Sequence, residues 1–251
     1  METIVAALAE QHEELSGLLA DLTDEDWARP SPCAGWSVTD VVLHLAQTDE
    51  MAIGSATGNF AAALDELAAG LGPARDVDEG VALMVAAQRG GPPPMVRDRW
   101  ARGARELRTA LAACEPGRRV IWVAGELSAR TLATTRLAET WIHTGDVATA
   151  LGHELVPTDR IQHIARLAWR TLPYAFGRAG RELTGPVAFE LESPGGDRWD
   201  FVPDATPDTI IRGTAIELCE VAARRRSPAD TSLRGDGPDA ESVLALVRTY
   251  A

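Results

Sequence analysis

For most of the chain the apolar residues recur every three or four positions, the period of a helix with one face turned inward. Between Thr3 and Leu22 they fall at Ile4, Leu8, Leu15, Leu18, Leu19 and Leu22, which predicts an amphipathic helix. His12 lies in it beside acidic neighbours and reads as a surface residue. Asp24 to Trp36 is rich in Pro, Ser and Gly and reads as a loop. Ser37-Val38-Thr39-Asp40 then resembles a capping box, with Asp where Glu or Gln is usual. The helix it opens carries Val41, Leu45, Thr48 and Ala52 on one side, and His44 shares that side. About Phe60 to Leu71 is also helical in pattern. The Gly90 to Pro94 run must break any helix, and a new one follows from about Met95 to Cys114. Val120 to Val123 is short, apolar and compatible with an extended segment. The longest helical pattern runs from about Ser128 to Leu151 and ends at Gly152. Another runs from about Thr158 towards Phe176, bent or ended near Pro173.

After Gly180 the period changes from that of a helix to that of a strand. Val187 to Glu192 alternates, Ser193 to Asp197 contains Gly-Gly, and Trp199 to Val202 alternates again, which predicts a hairpin. Ala215 to Arg225 reads as a helix, Thr231 to Gly235 as a short strand, and Ala240 to Thr249 as a final helix. The expected fold is therefore α+β. A helical, antiparallel bundle over residues 1–180 is followed by a small α/β domain over residues 185–251.

Composition narrows the partners. The chain has 251 residues and a net charge of -13, which argues against nucleic acid and anionic membranes. All 24 basic residues are Arg, so no lysine Schiff base or lysine base is available. Three cysteines, Cys33, Cys114 and Cys219, lie far apart without a C-x-x-C motif, as expected of a reduced, cytoplasmic protein. The N-terminal stretch is charged and helix-periodic, unlike a signal peptide. No apolar run approaches the roughly 18 residues that a membrane span needs.

The candidate chemistry sits on two of the predicted helices. Glu139 and His143 are four apart, which puts a carboxylate and an imidazole on one helix face. His44, from a separate helix, would complete a His/His/Glu set, the ligand type of an open divalent metal centre. The bland alternatives are a solvated Glu–His pair and a core histidine satisfied by a hydrogen bond. G-x-S-x-G, the P-loop and G-x-G-x-x-G are all missing.

Two longer stretches carry a resemblance. Ser31-Pro32-Cys33-Ala34-Gly35-Trp36-Ser37-Val38-Thr39-Asp40-Val41-Val42-Leu43-His44-Leu45 resembles the first signature of the mycothiol-dependent maleylpyruvate isomerase and DinB-like metal-binding superfamily. There a Pro-Cys-x-Gly-Trp loop opens the helix of the first histidine ligand. Arg136-Leu137-Ala138-Glu139-Thr140-Trp141-Ile142-His143-Thr144-Gly145-Asp146-Val147 resembles the second, which carries the Glu and the other His. The resemblance spans nearly the whole chain and is strongest to an actinobacterial metal-binding branch.

The resemblance implies a DinB-like four-helix bundle with a divalent metal, usually zinc, held by His44, Glu139 and His143. It implies a low-molecular-weight thiol such as mycothiol as cosubstrate and a small electrophile as substrate, in an isomerase or S-transferase. The chain is expected to act as a monomer or homodimer. A non-catalytic metal-containing binding module and a thiol-independent metal hydrolase stay open beside these.

Arg225 matches an Arg of the family's C-terminal domain. That domain is expected to close over the metal end, with Arg225 supplying charge to an anionic group of thiol or substrate; a solvated Arg224–Arg226 run is the competing view. Asp146, three residues after His143, is either an orienting partner or an exposed acid. Arg136 is expected to pair with Glu139, with steering of a carboxylate substrate as the alternative; Cys33 is expected to be a buried structural thiol, and the tryptophans to pack the core and bundle end.

Overall fold

The computed structural model describes residues 1–123 and 125–249. They form two compact units, one ending at Leu155 and the other beginning at Val156. The first is a ring of helices α1 (Glu2–Leu18), α3 (Val38–Thr57), α6 (Pro93–Ala112) and α7 (Ala129–Leu151). α1 packs on α7, α7 on α3, α3 on α6 and α6 on α1, which closes a four-helix bundle. Shorter helices α2 (Asp24–Ala28), α4 (Phe60–Leu67) and α5 (Val77–Gln88) line its flanks. An antiparallel hairpin, β1 (Arg119–Trp122) with β2 (Gly125–Ser128), leads into α7.

α3 is the axis of this unit and is buried along almost its whole length. Its start is set locally. Ser37 Oγ accepts from the Asp40 amide at 3.2 Å, and the Asp40 carboxylate accepts from the Ser37 amide at 2.9 Å. The expected capping box therefore forms with Asp in the fourth position. Gly58, at φ 86°, ends the helix in the left-handed conformation. Around α3, Val38, Val41, Val42 and Leu45 meet Leu15, Leu19, Val96, Trp100 and Val147 in one apolar cluster.

Two flanking helices escaped the periodicity. α2 is five residues long, too short to show a helical period, and is held by a Thr23–Asp26 capping box inside the expected loop. α5 is rich in small residues, and Asp76 caps it by accepting from the Glu79 amide at 2.9 Å. The Gly90–Pro94 break holds, but α6 begins inside it at Pro93, where proline's missing N–H costs nothing.

His12 corrects a second expectation. It is buried, not at the surface. Arg108 donates to its Nδ1 at 2.7 Å, and its ring meets Trp100 edge-on. Burial, with the charges of Arg108 and Arg136, pushes its pKa down to about 3. It is therefore a neutral acceptor inside the bundle.

The second unit holds α8 (Gln162–Arg170), α9 (Leu172–Arg178), α10 (Ala215–Ala222) and α11 (Ala240–Leu246) around a four-stranded sheet. Its strands are β3 (Val187–Glu192), β4 (Arg198–Phe201), β5 (Thr209–Thr214) and β6 (Arg234–Asp236), in the order β4-β3-β5-β6. β3 and β4 form the expected hairpin, with Phe189 opposite Phe201, while β5 runs parallel to β3. The last strand lies slightly later than the expected Thr231 to Gly235 stretch. A short 3-10 turn at Pro228–Asp230 takes up the chain before it.

The boundary expected near residue 180 falls instead at Leu155/Val156. The reason is that α8 packs on α10 and β4. Trp169 Nε1 donates to the Val187 carbonyl at 2.8 Å, and its ring stacks on Phe201. Helical periodicity alone does not say which core a helix joins.

The state of His12 makes stability pH-dependent. Its folded pKa lies below the unfolded value of 6.5, so the unfolded chain binds more protons between that value and about 3. Stability contributed by neutral His12 is complete above that window and lost as pH falls through it. A His12→Gln variant loses this part of the pH dependence. Urea midpoints of both proteins at about pH 7 and about pH 5 measure it; equal drops would remove His12 as a cause.

Candidate metal centre

His44 lies on α3 and Glu139 and His143 on α7, two helices that pack side by side. The structure brings all three side chains together. One carboxylate oxygen, Glu139 Oε2, lies 3.5 Å from His44 Nε2 and 3.6 Å from His143 Nε2. The imidazole centroids are 4.7 Å apart, nearly perpendicular at 76°. The His44 and His143 side chains are 7% and 9% exposed, whereas Glu139 is 21% exposed, so access is from the carboxylate side.

These separations are long for N–H···O hydrogen bonds, which cluster near 2.9 Å. They match the edges of a coordination shell. Two ligands held at about 2.1 Å in a tetrahedral arrangement lie about 3.4 Å apart. Two imidazole nitrogens and a carboxylate oxygen at these spacings fit a divalent ion and leave a position for an exogenous ligand.

The outer face of each histidine is handled differently. His143 Nδ1 lies 2.9 Å from Asp146 Oδ2, and the same oxygen lies 3.2 Å from Cys33 Sγ. Asp146 is buried, so it is an orienting partner and not an exposed acid. Cys33 is half-buried and bonded to the site, which corrects its reading as a buried structural thiol. Among the described residues, His44 Nδ1 is buried without a hydrogen-bond partner, and the Trp36 ring lies 5.2 Å from its own.

The electrostatics follow from this packing. Burial opposes a charge on His143, but Asp146, Cys33 and Glu139 together hold its pKa well above the usual histidine range. Burial likewise opposes a charge on Glu139, yet its bonds to His143 and His44 and the charges of His143 and Arg136 hold it well below the carboxylate range. Burial takes His44 down to about 4, leaving it neutral.

Arg136 does not pair with Glu139 as expected. It is buried one turn earlier on α7, where Nη2 lies 3.1 Å from Asp49 Oδ1 and donates to Thr48 Oγ1 at 2.8 Å. Burial raises Asp49 to about 6 against the opposing pull of Arg136. No local spacing announces this pair, because its members are 87 residues apart.

Arg225 lies in the second unit, just after α10, and donates from Nη1 to the Ala223 carbonyl at 3.1 Å. Its neighbours are tied down differently. Arg224 donates to Ala245 carbonyl, and Arg226 pairs with Glu217 and Glu220.

The mycothiol maleylpyruvate isomerase N-terminal domain matches residues 8–148, which include the three candidate ligands. The chain belongs to this family. Uncharacterized proteins from two strains of Mycobacterium tuberculosis are each 33% identical over 250 residues, 98% of this chain and 95% of the relative. Crystal structures of a mycothiol-dependent maleylpyruvate isomerase and of its histidine-to-alanine variant share the fold. The TM-score is 0.62 for each, at 17% and 15% identity over 95% of both chains. Among the described residues, no helix is long and apolar enough to cross a membrane.

The Asp49–Arg136 pair behind the centre generates a stability prediction. Arg136→Ala leaves Asp49 buried without its cation and costs about 3–5 kcal/mol. Arg136→Met combined with Asp49→Leu removes both charges and costs less than the single change. Chemical denaturation of the three proteins checks this ordering; a double variant as unstable as Arg136→Ala contradicts it.

Proposed function

We propose that this member of the mycothiol maleylpyruvate isomerase family is a metal-dependent enzyme that uses a low-molecular-weight thiol, mycothiol or a close analogue, on a small electrophile. His44, Glu139 and His143 hold the metal, zinc by preference. The reaction class is isomerisation or S-transfer. The observation that carries the reading is the carboxylate oxygen shared between two imidazole nitrogens at 3.5 and 3.6 Å.

When bound, the ion supplies an electrophilic position that lowers the pKa of a thiol and favours its thiolate. The protein's own groups prepare that position. Asp146 keeps a proton of His143 on Nδ1, so that Nε2, facing Glu139, is the nitrogen that would give up its proton to an ion. Glu139 contributes a negative charge that its neighbours keep ionised. Burial around His44 keeps that imidazole neutral and able to donate a lone pair.

The chain's own thiols do not suit nucleophilic attack: Cys33 is engaged with Asp146, and Cys114 and Cys219 are buried. An external thiol fills the role. It adds to a conjugated double bond and departs after rotation in an isomerase, or stays attached to the electrophile in a transferase. Arg225 is assigned the anionic group of thiol or substrate, which a chain of net charge -13 repels at long range.

Metal analysis of purified protein, followed by turnover of a panel of electrophiles with and without mycothiol, tests this reading. The wild type should hold one divalent ion per chain, and His44→Ala should lose both ion and turnover. Full activity without added thiol would reject the thiol role and leave metal-assisted hydrolysis. A loaded but inert protein would leave a binding module. Arg225→Ala should raise KM for thiol or substrate or lower kcat with the metal content unchanged. Unaltered kinetics would remove Arg225 from the site.

A further inference from the structure

We infer that Cys33 is a positioning residue of the centre: its thiol donates to Asp146 and, through that carboxylate, fixes the orientation of His143. The inference rests on the metal reading above and extends it to a residue outside the ligand set.

Cys33, His143 and Asp146 lie close enough to suggest a second ligand group sharing His143. Their distances say otherwise. His143 Nδ1 and Asp146 Oδ2 are 2.9 Å apart, a hydrogen-bond length and well under the roughly 3.4 Å that two ligands of a tetrahedral ion keep. Cys33 Sγ reaches the same Oδ2 at 3.2 Å but stands 3.9 Å from His143 Nδ1. An ionised carboxylate only accepts, so both partners donate to it. The imidazole then keeps a proton on Nδ1 in either charge state, so Nε2 is the nitrogen that would be free to bind an ion. Two donors converging on one oxygen restrict the carboxylate more than the imidazole alone would.

The loop that delivers Cys33 is built to hold it still. Pro30 and Ser37 form an isolated bridge across its ends. The Ser31 amide and hydroxyl both donate to the Trp36 carbonyl at 2.9 Å. The Cys33 amide donates to Ser31 Oγ at 3.2 Å, and the Trp36 amide donates to the Cys33 carbonyl at 3.0 Å. Gly35 supplies the left-handed turn at φ 76°. Arg89 reaches both the Gly35 carbonyl and the Asp40 carboxylate at 3.2 Å. One rigid loop thus meets both ligand histidines, with Trp36 against His44 and Cys33 behind His143.

The test uses the full chain, stripped of metal and titrated with zinc against a chromophoric chelator. Loss of an orienting partner of a metal ligand costs 10- to 100-fold in affinity, and Cys33 acts one bond further out, so Cys33→Ala should lose roughly 3- to 10-fold. Cys33→Ser, whose hydroxyl can donate to the same oxygen, should stay close to wild type. In an Asp146→Ala background, Cys33→Ala should have no further effect, because its route is gone. Asp146→Asn serves as the background if Asp146→Ala does not fold.

A wild-type affinity in Cys33→Ala overturns the inference alone. An equal loss in both backgrounds also overturns it and makes Cys33 only a packing residue of the loop. A wild-type chain that takes up no zinc overturns the metal reading and this inference with it.

Discussion

The bundle depends on the burial of α3 between α6 and α7, because that contact encloses polar side chains which must then satisfy one another. Along α3, His44 is followed one turn later by Thr48 and Asp49. Along α7, His143 and Glu139 are preceded by Arg136. The two runs meet in reverse order, His44 with Glu139 and His143, and Thr48 and Asp49 with Arg136. The deeper rung is closed by its own charges. The outer rung, centred on a carboxylate between two imidazoles, remains able to accept something more.

The deeper rung also shapes the outer one. Arg136 is bonded to Asp49, yet its charge still helps keep Glu139 ionised. It disfavours a proton on His44 as well. Both effects favour the states that a cation would require of Glu139 and His44, a carboxylate and a neutral imidazole. The expected Arg136–Glu139 ion pair would have spent the carboxylate on an internal contact. Directing the guanidinium to Asp49 leaves Glu139 facing the two histidines.

Much of this was legible in the chain, and the exceptions share a cause. The ring of long helices, the Ser37 capping box, the Gly152 terminus and the 187–202 hairpin are local patterns, and local patterns survive in sequence. The convergence of His44 with Glu139 and His143 was readable only through the paired signatures, since helical spacing relates Glu139 to His143 but says nothing about His44. The partners of Arg136 and Cys33 were not readable at all, because α3, α7 and the 30–37 loop meet only in the folded bundle. The domain boundary was missed for a similar reason. α8 has an ordinary amphipathic pattern, and only Trp169 reaching Val187 and Phe201 shows which core it joins.

His143 is where the two side-chain groups meet, and its two nitrogens separate their roles. Nε2 belongs to a set whose spacings, 3.6 Å to Glu139 Oε2 and a similar one from His44, are those of ligands around a common ion. Nδ1 belongs to a set whose spacings, 2.9 and 3.2 Å, are those of donors on a carboxylate. A neutral imidazole could serve both only as a single tautomer, with its proton on the Asp146 side. Composition cannot distinguish the two groups, since each offers a histidine, an acid and one further donor. Distance does: the first set has the wider spacings that a shared ion would need, and the second has the spacings of hydrogen bonds.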